Sequence, residues 1–114
     1  MRNLQLKVES AVRGGQSVIR VRGDVDLSSA PMLRQLLLEY MTRSTGTLRV
    51  DLAEVPYMDS SGVGTLVYVK REIERAGRRI VLFGLRPPVR SVFEVTHLDK
   101  FFTIVDEPLP QSGP

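Results

Sequence analysis

Apolar and polar residues alternate along the first part of the chain with the period of two that marks a half-buried strand. The first strand carries its apolar side chains at Leu4, Leu6 and Val8. A second strand is expected over residues 17–27, after a turn at residues 13–16, and Gly23 within it indicates a bulge or a close backbone approach. The two strands lie close enough in sequence to form a hairpin.

Helical spacing of apolar residues follows in three segments. The first helix is expected to begin near Pro31, which fits only in a first turn, with Ser28 or Ser29 as its cap, and to end near Gly46. Its apolar stripe is Leu33, Leu36, Leu37 and Tyr40. A second helix stops at Gly77 and buries Val63, Leu66, either Val69 or Lys70, and Ile73. A short third helix is expected over residues 89–95.

Three further strands are predicted between and after the helices. They cover residues 48–52, residues 79–83 and residues 101–105. The second of these is continuously apolar and is expected to be central, and the third is either an edge strand or a covering strap. The alternation predicts an α/β fold with a mixed, mostly parallel sheet of four to five strands, an antiparallel N-terminal hairpin and helices mainly on one face.

Composition restricts the chain to a few classes of protein. Its 114 residues are enough for one domain, expected over residues 1–107 with a flexible, proline-rich tail at residues 108–114. The chain has no cysteine, which excludes disulfides and thiolate chemistry. It has no apolar run near the ~18 residues of a membrane span and no signal peptide, so we expect a cytoplasmic protein. The net charge is +3, but the arginines are scattered, so direct nucleic-acid binding is not expected.

The motif Asp59-Ser60-Ser61-Gly62-Val63-Gly64 lies between the third strand and the second helix. A helix start offers unpaired N–H groups and a positive dipole, and one serine would suffice to cap it, so either Ser60 or Ser61 could do so. The two glycines cost about 1 kcal/mol each relative to alanine. A second serine and two glycines are more than a helix cap requires, which predicts that the backbone or a side chain must be accessible here. Phosphorylation suits the site, because free N–H groups stabilise a phosphoserine, which adds nearly two negative charges beside Asp59.

Other chemistries fit the sequence less well. A triad of Asp59, a neighbouring serine and His97 lacks the Gly-x-Ser-x-Gly elbow, and no phosphate-binding loop is present. Asp24, Asp26, Asp51 and Asp59 fall at strand ends, where aspartates commonly form turns and caps rather than a metal cluster. We therefore expect no enzyme activity, no metal and no cofactor.

Several segments resemble the STAS domain family of bacterial anti-sigma factor antagonists. Residues 50–52 and 58–64 resemble its signature, residues 23–33 its second strand and first helix, and residues 88–98 its closing helix and turn. The pieces occur in the family's order and cover nearly the whole chain. The resemblance implies a single STAS-like domain.

The resemblance also implies a cytoplasmic switch protein without catalysis. Such a protein binds a serine-kinase anti-sigma factor and thereby frees a sigma factor, as in stress response or sporulation. The kinase phosphorylates the second serine of the motif, here Ser61, and a serine phosphatase reverses the modification. The glycines would leave the backbone bare so that the kinase reaches Ser61. The expected partner surface comprises Asp24, Asp26, Ser28, Ser29, Asp59, Ser60, Ser61, Gly62, Gly64, Thr65 and Tyr68.

Two alternatives remain open from the sequence. The chain could be a STAS scaffold that is not switched, or a regulatory subunit of a larger signalling or transport complex. It could also bind a small molecule or a nucleotide. In each case we expect no direct contact with nucleic acid or membrane, and a monomer or weak dimer.

Overall fold

The computed structural model describes residues 5–13 and 16–106 of the chain. Its elements are β1 (Lys7–Arg13), β2 (Gln16–Arg22), α1 (Ala30–Arg43), β3 (Leu48–Glu54), α2 (Ser60–Arg75), β4 (Ile80–Phe83), α3 (Pro87–Val95) and β5 (Thr103–Val105). The predicted Leu4, the turn glycines and the tail at 108–114 lie outside the described residues. The strands form one sheet in the order β1-β2-β3-β4-β5. Only the β1–β2 pair is antiparallel, so the predicted mixed α/β architecture is confirmed.

One face of the sheet packs against the helices and forms the core. Ile19, Val50 and Leu82 lie in register across β2, β3 and β4 and belong to one buried cluster. The helices add to the same cluster Leu33, Leu37, Val63, Leu66, Val69, Ile73, Val89 and Phe93. Val69, rather than Lys70, is therefore the core residue of its turn, and the ammonium of Lys70 instead lies 4.3 Å from the centre of the Phe101 ring.

Register positions on the opposite face carry paired charges. Arg20 lies in register with Asp51, and its guanidinium Nε is 3.7 Å from the Asp51 carboxylate and 3.6 Å from that of Glu54. Arg22 contacts Glu54 at 3.1 Å and Glu9 at 3.7 Å. These charges therefore neutralise one another across neighbouring strands.

The second strand is shorter than the pattern predicts. β2 ends at Arg22 instead of Leu27, because Gly23 has a φ of 103° and turns the chain out of the strand. The pairing register with β3 also shifts, between Arg20 and Arg22, just before Gly23, where the bulge was expected. Beyond the turn, Val25 makes one isolated parallel bridge to Met58.

Smaller differences concern the second half of the chain. β4 is an interior strand paired with β3 and β5, but β3 occupies the centre of the five-stranded sheet. β5 is an edge strand, which decides between the two alternatives for this segment. α3 begins at Pro87, two residues earlier than predicted, since both prolines fit in the first turn, where their missing N–H groups are harmless.

A single arginine fixes the end of α1. The Arg78 guanidinium donates hydrogen bonds to the carbonyls of Met41 (2.7 Å) and Gly46 (2.8 Å) and to the Ser44 hydroxyl (3.0 Å). A helix C-terminus leaves carbonyls without intrahelical partners, and Arg78 satisfies one of them. None of the helices in the described ranges is long and apolar enough to cross a lipid bilayer.

Candidate functional site

Two loops meet where β2 and β3 end, and they form one surface. The Val25 N–H donates to the Tyr57 carbonyl (2.9 Å), and the Asp59 N–H donates to the Val25 carbonyl (3.1 Å). These bonds hold the 24–29 turn against the start of α2. The carboxyl ends of parallel strands are the usual place for binding sites in such sheets. Leu27, in this turn, and Ala30, the first residue of α1, line the same groove as Ser61.

Asp59 caps α2. Its carboxylate accepts the Ser61 N–H at 2.9 Å and also the Ser61 hydroxyl proton. Its carbonyl accepts the N–H groups of Gly62 (3.1 Å) and Val63 (3.2 Å). The prediction that Ser60 or Ser61 caps the helix is therefore wrong, since the preceding carboxylate is itself a preferred N-cap acceptor. The N–H groups of residues 61–63, which were expected to be free, are already bonded.

Ser61 lies on an open groove between α1 and α2. The groove has a volume of about 470 Å³. Its lining residues are Leu27, Ala30, Pro31, Arg34, Gln35, Leu38, Ser61 and Thr65. Ser61 is half-buried, whereas Ser60 is exposed. The Ser61 hydroxyl thus lies on a mostly apolar depression.

The two glycines of the motif have different roles. Gly62 is buried, and a Cβ added there would lie 2.6 Å from Val25 Cγ1 and 2.7 Å from Met58 Cγ. Gly62 is therefore required by close packing, and the prediction that it bares the backbone for a kinase is wrong. A Cβ at Gly64 would meet nothing within 4 Å, so packing does not explain this second glycine.

The start of α1 is built around Asp26. Its carboxylate accepts the N–H groups of Ser28 (3.0 Å) and Ser29 (3.1 Å) and the Ser28 hydroxyl (2.7 Å). The Ser29 hydroxyl accepts the Asp26 N–H (3.0 Å) and donates to the Asp24 carbonyl (2.9 Å). Ser29 occupies the N-cap position, as predicted, but its side chain makes no capping hydrogen bond.

The donors around Asp26 change its acidity. The hydrogen bond from the Ser28 hydroxyl, followed by those of the Ser29 and Ser28 N–H groups, lowers the pKa of Asp26 below its ordinary value of 3.8.

The Asp51 carboxylate, in β3, accepts the Ala53 N–H at 2.9 Å. In the described part of the chain, no three His, Asp or Glu side chains converge as metal ligands.

Large apolar side chains are exposed in the 24–29 turn, on α1 and in the loop before α2, and the sequence patterns did not identify them. Leu27 is 78% exposed, Met32 43% and Tyr57 43%. The sequence pattern assigned Leu27 to the end of the second strand, whereas it lies in the turn before α1. Tyr68, which was expected at the surface, is 38% exposed, and the Arg34 guanidinium lies 4.1 Å from the centre of its ring.

The predicted partner residues divide by accessibility. Asp24 and Gly62 are buried. The others reach the surface to varying degrees, and they are Asp26, Ser28, Ser29, Asp59, Ser60, Ser61, Gly64, Thr65 and Tyr68. These nine, with Leu27, form the surface called the switch face below.

Comparison with known proteins agrees with the resemblance seen in the sequence. The family model described as STAS domain matches residues 7–108. The anti-sigma-B factor antagonist of Listeria monocytogenes is 36% identical over 86 residues, which are 75% of this chain and 75% of that protein. The structure of the anti-sigma factor antagonist SpoIIAA in its unphosphorylated form has a TM-score of 0.70 and 27% identity, covering 90% of each chain.

The Bacillus cell fate determinant SpoIIAA in its phosphorylated form is also similar. It has a TM-score of 0.63 and 26% identity, covering 90% of this chain and 93% of that chain. The fold, the motif order and these relatives confirm the expected family. Over nearly its whole length, this chain belongs to the STAS domain family, and the relatives named here are anti-sigma factor antagonists.

Proposed function

We propose that this chain is an anti-sigma factor antagonist switched by phosphorylation of Ser61. In the unmodified state it binds a serine-kinase anti-sigma factor, and the phosphorylated state is released. The names of the relatives support the general role, and the two forms of SpoIIAA support modification within the family. The observation in this chain that carries the proposal is the placement of the Ser61 hydroxyl beside Asp59 on an apolar groove.

The switch face suits a protein partner when Ser61 is unmodified. Leu27 lines the groove, Tyr68 contacts Arg34 beside it, and both expose apolar area. Covering such area stabilises a complex by roughly 25 cal/mol per Å². Ser28, Ser60 and Thr65 between them are small and uncharged, so a partner can cover them at little electrostatic cost. This combination of an apolar centre and a small polar rim is typical of protein interfaces.

Phosphorylation would change the charge at the centre of this face. The Ser61 oxygen forms a bond to the γ-phosphorus of ATP, the bond from that phosphorus to the bridging oxygen breaks, ADP leaves, and the hydroxyl proton is lost. The product carries about −1.5 to −2 charges at pH 7. Since the Asp59 carboxylate already lies against the Ser61 oxygen, a partner would have to cover two adjacent anions. A serine phosphatase restores the hydroxyl by hydrolysis to inorganic phosphate.

The proposal is tested by incubating the protein with its cognate anti-sigma kinase and ATP, followed by peptide mass spectrometry. We expect one phosphoryl group, located on Ser61. The Ser61→Ala variant should remain unmodified, and the Ser91→Ala variant, which loses an exposed hydroxyl on α3, should be modified like the unsubstituted protein. Modification at Ser28 or Ser60 would contradict the assignment. Stable binding without any modification would instead identify a STAS scaffold that is not switched.

A further inference from the structure

The backbone N–H groups of residues 61–63 at the start of α2 are already bonded and do not offer free donors to a phosphate on Ser61. The Ser61 N–H donates to the Asp59 carboxylate, and the N–H groups of Gly62 and Val63 donate to the Asp59 carbonyl. The same Asp59 carboxylate accepts the Ser61 hydroxyl proton, which phosphorylation removes. The modified side chain would therefore face a carboxylate, with these three N–H groups occupied. A cation nearby would stabilise a dianion in this position.

Arg34 is the charged residue among those that line the groove with Ser61. Its side chain is exposed, and the contact the structure shows for its guanidinium is with the face of the Tyr68 ring. Within the described ranges, no carboxylate lies within ion-pair distance of it, unlike Arg20, Arg22, Arg43, Arg75 and Arg90, each of which contacts an acidic side chain. Arg34 is thus held by an interaction that is weak compared with a phosphate pair.

Arg34 lies beside the row of α2 residues that contains Ser61. Ser61, Thr65 and Tyr68 follow one another along α2 at spacings of four and three residues, so they share one side of the helix. Ser61 and Tyr68 are separated by about 10 Å along the helix axis. α1 packs against α2, and Arg34 contacts one end of this row while it lines the groove that contains the other end.

We infer that Arg34 is the internal ligand of phosphorylated Ser61. The guanidinium leaves the Tyr68 ring, donates two parallel N–H bonds to the phosphomonoester, and crosses the groove. This inference rests on the proposed modification of Ser61 and names a second consequence of it. The phosphate then acts in two ways, because it adds negative charge and also draws Arg34 over the apolar depression that the partner would occupy.

The test uses protein in which phosphoserine is incorporated at position 61 during translation, so that no kinase is required. The second pKa of the phosphate, near 6 in the absence of neighbours, is measured by ³¹P NMR titration. An arginine paired with the phosphate favours the dianion, so we expect this pKa to rise by about one unit in the Arg34→Gln variant. The Arg43→Gln variant removes the same charge from an exposed position on the same helix and should leave the pKa unchanged. Equal values in all three proteins, or equal rises in both variants, would overturn the inference.

A second measurement needs no substitution. The side-chain N–H and methylene protons of Arg34 are followed by NMR in the unmodified and phosphorylated proteins. We expect upfield ring-current shifts from Tyr68 in the unmodified protein and their loss on phosphorylation. Retention of these shifts would contradict the inference even if the titrations agreed with it. A negative result in both measurements would leave the kinase experiment unaffected, because neither depends on a partner.

Discussion

The two helix starts on the switch face use nearly the same residues and produce different local structures. Residues 26–30 read Asp-Leu-Ser-Ser-Ala, and residues 59–62 read Asp-Ser-Ser-Gly. In both, an aspartate carboxylate accepts the N–H of the residue two positions later, at 3.0 Å from Ser28 and 2.9 Å from Ser61. At the first start, the hydroxyl of the second serine, Ser29, bridges two backbone groups. At the second start, the Ser61 hydroxyl contacts a carboxylate and faces a groove.

The distance from the aspartate to the helix accounts for this difference. Asp26 lies four residues before Ala30, where α1 begins, so the two following serines belong to a turn and complete its hydrogen bonds. Asp59 immediately precedes α2, so Ser60 and Ser61 are already helical and their side chains project outward. Similar residues therefore form a hydrogen-bonded turn at the start of α1 and present an accessible hydroxyl at the start of α2.

The largest effect on stability is expected at the residue that follows the second serine. Ala30 follows Ser29 and is buried without difficulty, but an alanine at position 62 would bring its Cβ within 2.6 Å of Val25 and 2.7 Å of Met58. Overpacking of this kind destabilises by about 1–3 kcal/mol, so we expect Gly62→Ala to lower the free energy of unfolding by that amount. Urea denaturation measures it.

Gly64→Ala is the matched control for this prediction. Its Cβ would meet nothing within 4 Å, so the usual advantage of alanine over glycine in a helix should stabilise the protein by about 0.5–1 kcal/mol. If the two variants changed stability equally, the distinction drawn between the two glycines would be wrong.

Removal of the second serine hydroxyl should affect the two starts unequally. Ser29→Ala leaves the Asp26 N–H without its 3.0 Å acceptor, which costs about 1–2 kcal/mol in this half-buried turn. Ser61→Ala leaves the capping bond from the backbone N–H to Asp59 intact and should change stability by about 0.5 kcal/mol or less. Thermal and urea unfolding of the two variants compare them directly. A larger loss at Ser61 would reverse the assignment of structural and functional hydroxyls.

A negative charge at Ser61, in the second start, should weaken partner binding. Ser61→Asp should weaken binding to the cognate anti-sigma factor several-fold, which corresponds to about 1 kcal/mol. Ser61→Ala should bind whether or not the kinase has been supplied with ATP. Equal binding of Ser61→Asp and the unsubstituted protein, measured by calorimetry, would count against the switch.

The smallest effect concerns pH and the first start alone. The folded-state pKa of Asp26 is below its ordinary value of 3.8, so its contribution to stability is present above pH 3.8 and is lost as the pH falls through the lower folded-state value. The stability difference between the unsubstituted protein and Asp26→Asn should therefore decrease in this acid range. Urea unfolding at a series of pH values measures it. Ser28→Ala, which removes the strongest donor, should weaken the pH dependence, and an unchanged dependence would contradict this cause.

Periodicity was sufficient to predict the architecture. Alternation placed the hairpin, and the helical spacing of Val63, Leu66 and Ile73 identified the buried face of α2. The end of β2 was placed five residues too late, because apolar Val25 and Leu27 continue the strand pattern although Gly23 turns the chain. Val25 lies beyond the end of β2, and its isolated parallel bridge to Met58 explains why it is buried.

The motif itself could be located from the sequence, but its internal division of roles could not. Residue types indicate that Asp59, Ser60 and Ser61 start a helix, and each of them is an acceptable cap. The capping residue is the one immediately before the first helical residue. The three candidates place that residue only one or two positions apart, and hydrophobic periodicity does not resolve so small a difference. Likewise, position 62 needs glycine because Val25, which is distant in sequence, packs against it in the folded protein. Arg34 and Tyr68 meet for the same reason.

The most direct measurement is the affinity of the protein, with serine or phosphoserine at position 61, for its cognate anti-sigma factor, determined by isothermal titration calorimetry. A protein with phosphoserine at position 91, exposed on α3, carries the same charge away from the switch face and serves as control. We predict that phosphoserine at 61 raises the dissociation constant about tenfold or more, which is ~1.4 kcal/mol, and that phosphoserine at 91 leaves it unchanged. Equal dissociation constants for all three proteins would contradict the account.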